Sequence, residues 1–366
     1  MITTINQLKA DDLRGKKVLV RVDFNVPIKD GKVSDDYRIE RALPTIKFLR
    51  DNGAKLLLIS HIETKDVEMP TLRPVFDLLS QQLSLSFTED CFSDEGRQGI
   101  EMLEDGEVIL FENIRRYEGE KANDPEFASK LAALADMYVN DAFAVSHREH
   151  ASIVGVPQHL PHYAGLLLSD EIKHLGISDS TPHPFLFILG GAKFETKLPL
   201  IEKFLDRADK MFIGGALAND LLKLKGVDVK ESLVSSMSGI VTTSLSAIVS
   251  NPKIMLPEDL VWDGDKIMDA GPKDIEALRP HIMGAKYILW NGPLGDYEKG
   301  FKEGTIALSK LIGQSSADSV VGGGDTLASI KELGLMDEFT FISTGGGAML
   351  EFLLKGTLIG VEALEK

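Results

Sequence analysis

The stretch Asp318-Ser-Val-Val-Gly-Gly-Gly-Asp-Thr-Leu-Ala-Ser-Ile330 reads as a strand running into three glycines, then an acidic and a hydroxyl residue, then a helix. Gly322, Gly323 and Gly324 lack the Cβ atoms that would hold a ligand off the backbone, so successive N–H groups can approach phosphate oxygens at the positive end of a helix. Taken alone, the glycines need do no more than turn a strand into a helix. Asp325 adds chemistry, because a carboxylate beside a phosphate is repulsive unless a cation such as Mg²⁺ lies between them. A second group is Lys193 and Lys197, four apart behind Gly190-Gly191. That spacing predicts one face of a helix's first turns, where like charges oppose each other and the dipole, and a bound anion would offset both. A third group is Asp23, Asn25, Arg38, His61, Arg115 and Arg148, all on loops or helix starts beside predicted strands. Each alone reads as a solvated surface residue. Together they form a pocket for a small polyanion, with arginine forking onto phosphate or carboxylate oxygens. His147 and His150 have no third ligand at a recognisable metal spacing and read as ordinary loop histidines.

Parallel strands must position these groups. In the second half, Phe185-Leu-Phe-Ile-Leu189, Met211-Phe-Ile213, Tyr287-Ile-Leu-Trp290 and Phe339-Thr-Phe-Ile342 each precede glycines and a predicted helix. In a parallel sheet such loops leave the carboxyl ends of the strands along one edge, where they can surround one nucleotide. In the first half, β-branched or apolar runs over 16–22, 54–59, 108–111 and 137–139 predict strands. Apolar residues at helical spacing over 37–52, and the stretches 72–83 and 125–135, predict helices. This alternation predicts two Rossmann-like three-layer α/β domains with parallel sheets, facing a central cleft. The leucine-rich piece from Leu166 to Leu175 is expected to be the helix that joins them. The expected boundaries are 1–164, a hinge at 165–176, 177–355, and a tail at 356–366.

The chain has 366 residues, 43% hydrophobic and 26% charged, with a net charge of −16. Its length suits two domains. Its charge argues against a nucleic-acid or anionic membrane partner. The single Cys91 excludes an intrachain disulfide framework and suits a reducing cytosol. No basic leader and no apolar run of membrane-spanning length is present, which predicts a cytoplasmic protein. A dinucleotide-dependent oxidoreductase would need Gly-x-Gly-x-x-Gly, but Leu327 and Leu350 stand where the third glycine belongs, and no Gly-Lys-Ser or Gly-Lys-Thr marks a P-loop.

Arg21-Val-Asp-Phe-Asn-Val-Pro27, Tyr37-Arg38-Ile39, Ser60-His61, Glu112-Asn-Ile-Arg115, Asn140-Asp-Ala-Phe143 and His147-Arg-Glu-His150 resemble the substrate-domain motifs of phosphoglycerate kinase. Gly190-Gly-Ala-Lys193, Lys197, Trp290-Asn-Gly-Pro293, Glu298, Gly322-Gly-Gly-Asp-Thr326 and Ser343-Thr-Gly-Gly-Gly-Ala348 resemble its nucleotide-domain motifs. The match runs in order along essentially the whole chain. It implies reversible, Mg²⁺-dependent phosphoryl transfer between 1,3-bisphosphoglycerate and ADP, giving 3-phosphoglycerate and ATP, by a hinge-bending monomer whose tail returns to the first domain. It implies that Asp23, Asn25, Arg38, His61, Arg115 and Arg148 hold the glycerate. Lys197, Gly214, Gly271, Glu298, Gly323, Gly324, Asp325 and Thr326 would hold the nucleotide, with Asp325 on the metal. Arg38, Lys193, Gly324 and Gly347 would act on the moving phosphoryl group. A non-catalytic descendant is a rival reading, against which Arg38, Lys193, Lys197 and Asp325 stand together.

The chain departs from the family at three places. Ile62-Glu63-Thr64-Lys65 replaces the usual Leu-Gly-Arg-Pro, Arg116 stands where the family has an aromatic, and Asp296-Tyr297 replaces an apolar-aromatic pair. One phosphate-contacting arginine is therefore missing and a carboxylate is added, leaving Lys65 or Arg116 to substitute. Without such compensation, 3-phosphoglycerate binding is expected to be weaker than the family norm by about 1–3 kcal/mol. An ordinary Michaelis constant, unchanged by Lys65→Ala and Arg116→Ala, would contradict that expectation.

Overall fold

A computed structural model describes residues 2–64, 67–235 and 242–365. The chain divides into two units, residues 1–173 with 357–366, and residues 174–356. The division falls inside the helix Leu166–Leu175.

Apart from an antiparallel pair, Ile28–Lys29 with Lys32–Val33, the strands of the first unit are β1 (Lys17–Arg21), β2 (Lys55–Ile59), β3 (Ser86–Thr88), β4 (Val108–Phe111), β5 (Met137–Asn140) and β6 (His162–Ala164). They form a sheet in the order β3-β4-β2-β1-β5-β6, with every pairing parallel. Strands covered on both faces read as continuous apolar runs, and Leu56, Leu57, Leu58 and Ile59 are all fully buried. Register sets Arg21 beside Ile59 on one side and Asn140 on the other. The segments after these strands, bearing Asp23, His61 and Asp141, therefore leave the same edge. Helix α1 (Tyr37–Asp51) carries Arg38 as its second residue.

The second unit has β7 (Phe185–Leu189), β8 (Lys210–Ile213), β9 (Ile254–Met255), β10 (Tyr287–Asn291), β11 (Asp318–Gly322) and β12 (Phe341–Ile342). Their order is β9-β8-β7-β10-β11-β12, again all parallel. Relative to the first strand this is the 3-2-1-4-5-6 order, whose direction reverses between β7 and β10 and opens a crevice at their carboxyl ends. Leu189 lies beside Asn291 and Ile213, and Asn291 beside Gly322, so the glycine loops emerge side by side. An antiparallel hairpin, Leu260–Asp263 with Lys266–Ala270, is added to this unit. Among the described residues no helix is long and apolar enough to cross a membrane.

Several boundaries differ from expectation. The strand expected from Phe339 is confined to Phe341–Ile342, because Met336–Glu338 forms a 3-10 turn before it. The helices expected at 72–83 and 125–135 end earlier, as Arg73–Leu79 and Pro125–Ala132. The short strands β3, β6 and β9 have no counterpart in the sequence reading.

Asp141 is buried at the end of β5, where it accepts the N–H of Leu168 at 3.2 Å, and a Cβ at Gly165 would collide with its carboxylate. Burial pushes its carboxyl up to about 7. The folded state thus holds a proton at Asp141 that the unfolded state has released, so this group's contribution to stability falls as pH rises from about 4 to about 7 and then levels. Asp141→Asn removes that fall. Its melting temperature relative to wild type should rise by roughly 5 °C between pH 4 and pH 7, with little change above. A difference independent of pH in thermal melts would refute this.

Candidate active site

Arg21, the last residue of β1, is fully buried. Burial works against its charge, and Glu120, Tyr138 and Asp23 offset this in that order. Its Nε donates to Ser152 Oγ at 3.0 Å, Nη1 to the Val22 carbonyl at 2.6 Å, and Nη2 to His61 Nδ1 at 3.1 Å. Ser152 Oγ in turn donates to Glu120 Oε1 at 2.6 Å, and the Ser152 N–H to Oε2 at 2.9 Å.

His61 is held well below the usual histidine range, first by burial and then by Arg21, Arg115, Arg38 and His150. It is therefore neutral at physiological pH. A guanidinium can only donate, so Nδ1 accepts and the ring proton sits on Nε2. Burial, then Arg115, Arg21 and Arg148, also depress His150, to about 4. The fields on these two imidazoles tie Arg21, Arg38, Arg115 and Arg148 into one cationic cluster.

Arg38 Nη1 donates to the Asn25 carbonyl at 3.1 Å and lies 3.1 Å from Asp23 Oδ2. Asp23 Oδ1 accepts the Asn25 N–H at 3.1 Å, and Asn25 Oδ1 accepts the Glu63 N–H at 2.9 Å. Asn113 fixes the next loop. Its amide donates to the Ile62 and Pro70 carbonyls, both at 2.9 Å, and its oxygen accepts the Arg115 N–H at 3.2 Å. Arg115 pairs with Glu63. Arg116, offered by the sequence as a replacement cation, instead donates to the Glu89 carbonyl at 2.5 Å from an exposed position. Lys65, the other replacement, lies outside the described residues.

In the second unit the centre is Lys197, on α2 (Phe194–Leu205). It is 8% exposed, and Nζ donates to the Gly190 carbonyl at 2.6 Å. The Gly191 N–H donates to the Pro293 carbonyl at 2.7 Å, which crosses the two loops at the switch point. Cβ atoms at Gly191 and Gly292 would each stand 3.1 Å from Lys197 Nζ, so these glycines admit the ammonium between the loops. Burial alone lowers Lys197 to about 8.

Lys193 corrects the sequence reading. It is the N-cap of α2, with φ 64° and ψ 66°, and it is exposed, so the two lysines do not share a helical face. The left-handed conformation of a non-glycine residue stores about 1–2 kcal/mol of strain. The glycine triplet also divides its labour. Gly323 has φ 110°, a glycine conformation, and a Cβ at Gly322 would strike Met349. A Cβ at Gly324 would meet nothing, nor would one at Gly347. These two open α3 (Gly324–Glu332) and α4 (Gly347–Lys355), so free space lies at the positive ends of both helices.

A cavity of about 450 Å³ is bordered by Gly191, Gly215, Pro293, Leu294, Glu298 and Asp325 among others. Gly214 lies behind it against Leu294, and Gly271 caps the helix Pro272–Gly284 beside Asp259 instead of bordering it. The departure Asp296-Tyr297 fixes the turn bearing Glu298. Asp296 Oδ2 lies 2.8 Å from Lys299 Nζ, and the Tyr297 hydroxyl donates to Glu332 at 3.1 Å. Asp325 is raised by burial and by Glu298 and Asp296, and buried Thr326 Oγ1 has no partner among the described residues.

Sequence reasoning missed Arg21, Glu120, Ser152, His150 and the pairing of Glu63 as parts of the first cluster. The available signal was an arginine closing a β-branched strand. Glu120 carried no signal, since its neighbours Glu118, Lys121 and Ala122 are exposed.

Two doubly wound parallel sheets, one edged by a cationic cluster and the other by open helix starts around a buried lysine, define an α/β phosphotransferase. The family model of phosphoglycerate kinase matches residues 8–356, and the chain belongs to the phosphoglycerate kinase family. It is 44% identical over 390 aligned positions to the phosphoglycerate kinase of Dictyoglomus turgidum, covering 99% of this chain and 98% of that one. It is 42% identical to that of Rubrobacter xylanophilus, covering 96% of each. The structures of phosphoglycerate kinase from Coxiella burnetii and from Pyrococcus horikoshii each superpose with a TM-score of 0.85 at 33% identity. They cover all of this chain and 99% and 98% of theirs.

A phosphate bound at Lys197, as the sequence leads one to expect, would restore the ammonium that burial disfavours. Nucleotide binding at pH 8 is therefore expected to take up roughly half a proton, and Lys197→Met to abolish the uptake. Calorimetry in two buffers of different ionisation enthalpy measures it. Proton release by the wild type would count against the assignment.

Proposed function

We propose that the chain catalyses reversible phosphoryl transfer between the acyl phosphate of 1,3-bisphosphoglycerate and MgADP. The gathering of Arg21, Arg38 and Arg115 around a neutral His61, with Arg148 acting on the neighbouring His150, carries this reading. A small polyanion needs such a cluster in a protein of net charge −16, whose overall field repels it.

In the direction that consumes ATP, a carboxylate oxygen of 3-phosphoglycerate attacks the γ-phosphorus. The bond from that phosphorus to the β,γ-bridging oxygen breaks, and ADP leaves with the electron pair. The nucleophile is already ionised, so no proton need be abstracted, which suits a histidine whose Nδ1 is committed to Arg21. The protein's task is alignment and charge neutralisation. Arg115, Arg148, Asn25, Asp23 and His61 hold the acid, and Arg38 reaches the transferring group. Lys197, Thr326 and the amides of Gly323 and Gly324 hold the nucleotide phosphates, while Glu298 takes the ribose. Lys193 and the N–H groups at Gly324 and Gly347 meet the developing charge.

Asp325 would hold Mg²⁺. Among the described residues no cluster of three or more acidic, histidine or cysteine side chains is arranged around a metal. One raised carboxylate fits an ion that takes its remaining ligands from phosphate and water. Bound there, magnesium supplies charge neutralisation on the phosphates. The two half-sites belong to different units, so turnover requires that they approach and exclude water, with residues 165–176 as the proposed hinge. The reading includes a cytoplasmic monomer, supported by the single cysteine and the family.

A coupled assay with ATP, Mg²⁺ and 3-phosphoglycerate tests it. Turnover should require the acid and no nicotinamide in the primary step, and Arg38→Ala should lower kcat by about 10²-fold or more with the fold intact. Nucleotide binding without turnover by the wild type would favour the non-catalytic reading.

A further inference from the structure

Arg115 is nearly buried, its side chain 9% exposed, yet its Nε has no partner among the described residues. Its guanidinium is met by the carboxylate of Glu63, whose side chain is 57% exposed. The Glu63 backbone is not free to drift, because Asn25 Oδ1 accepts its N–H at 2.9 Å and Asn113 ties down the neighbouring Ile62. A carboxylate is thus anchored by its main chain at the mouth of a cationic cluster, with its head on the cation. Both residues border an open space of about 610 Å³, which leaves the glutamate room to swing away. An anion that uses the arginine's fork must displace this carboxylate, and until it is displaced the carboxylate repels the anion.

We propose that Glu63 is a built-in competitor for the anion at Arg115, setting affinity for the acid substrate while leaving the transfer step alone. This rests on the assignment of the cationic cluster to 3-phosphoglycerate. Glu63 is a positioning residue for the empty site: it holds the Arg115 guanidinium in place without ligand and gives way to one. Its reach to Arg115, not its contribution to net charge, is what matters. Glu68, exposed on the border of the same space, serves as the control for charge alone.

Glu63→Gln in the full chain should lower KM for 3-phosphoglycerate by about three- to thirtyfold. That range lies between the removal of an exposed pair and of a charge-assisted bond to a buried cation. The kcat and the KM for MgATP should stay within about twofold. The dissociation constant for inorganic sulfate, measured by calorimetry at fixed ionic strength, should fall in parallel, while Glu68→Gln leaves both quantities within about twofold. The sulfate arm needs no turnover. An inactive wild type would overturn the kinase reading, whereas sulfate affinity that rises in Glu63→Gln alone would still support the competition. Unchanged or weaker sulfate binding in Glu63→Gln, or an equal gain in Glu68→Gln, would overturn the competitor role. So would a higher KM for the acid, since that would mean Glu63 assists binding.

Discussion

A guanidinium taken wholly out of water is the constraint from which the proposed acid-binding site follows. Arg21 lies at the end of a strand whose neighbours are apolar on both faces, and a buried cation is tolerated only when its donors are engaged and a counter-charge is near. The requirement recruits three separate segments. Ser152 comes from the turn Ala151–Gly155, Glu120 from the helix Glu118–Lys121, and His61 from the end of β2. Each contact does a second job. The bond to His61 fixes its tautomer, and the Glu120 carboxylate, which accepts from Ser152 at both oxygens, lies 3.8 Å from His150 Nδ1. A fixed positive field results before any ligand arrives, and it adds to burial in keeping both imidazoles neutral.

The second unit, the proposed nucleotide unit, gains positive potential by other means. Among the described residues its one deeply placed cation, Lys197, has a carbonyl for a partner and no carboxylate, so burial lowers its pKa without a compensating charge. The remaining positive potential comes from backbone amides at the starts of α3 and α4, which need no counter-ion. Glycine is required there for two distinct reasons. Gly191 and Gly292 leave room for the lysine head, and Gly191, Gly292 and Gly323 all supply positive φ angles that other residues rarely adopt.

Much of this fold was legible because long strands in doubly covered sheets write themselves as apolar runs: 185–189 and 108–111 match the structure to the residue. The strands Ser86–Thr88, His162–Ala164 and Ile254–Met255 were not, since two or three mixed residues at a sheet edge carry no period. Residues on loops after strands could be gathered from topology, and His61 does lie in the field of Arg38 and Arg115. What could not be read was conformation that defeats local rules. A left-handed Lys193 breaks the four-residue spacing that would have aligned it with Lys197. Buried charge was equally hidden: Arg21 and Glu120 have the same letters as surface residues, and only the packing of three distant segments removes them from water. Glu63 was visible as an unusual residue, but its partner depends on how Asn25 and Asn113 hold the loop.

The contrast between the two half-sites bears on which of them can be tuned. A pocket made of side-chain cations must keep those cations from repelling one another when empty, and Asp23 on Arg38 and Glu63 on Arg115 do so. Every internal carboxylate that calms the empty site also stands where the ligand's own negative charge must go, so resting order and ligand affinity oppose each other there. A single substitution can shift that balance without disturbing a strand. A pocket made of main-chain dipoles has no such adjustable partner: its potential is set by where helices begin, and altering it means altering the glycines on which the loop crossing depends. On the proposed assignment, sequence change that adjusts affinity for the acid therefore has an easy route through the loop after β2, whereas the proposed phosphate cradle of the other unit is held by its backbone.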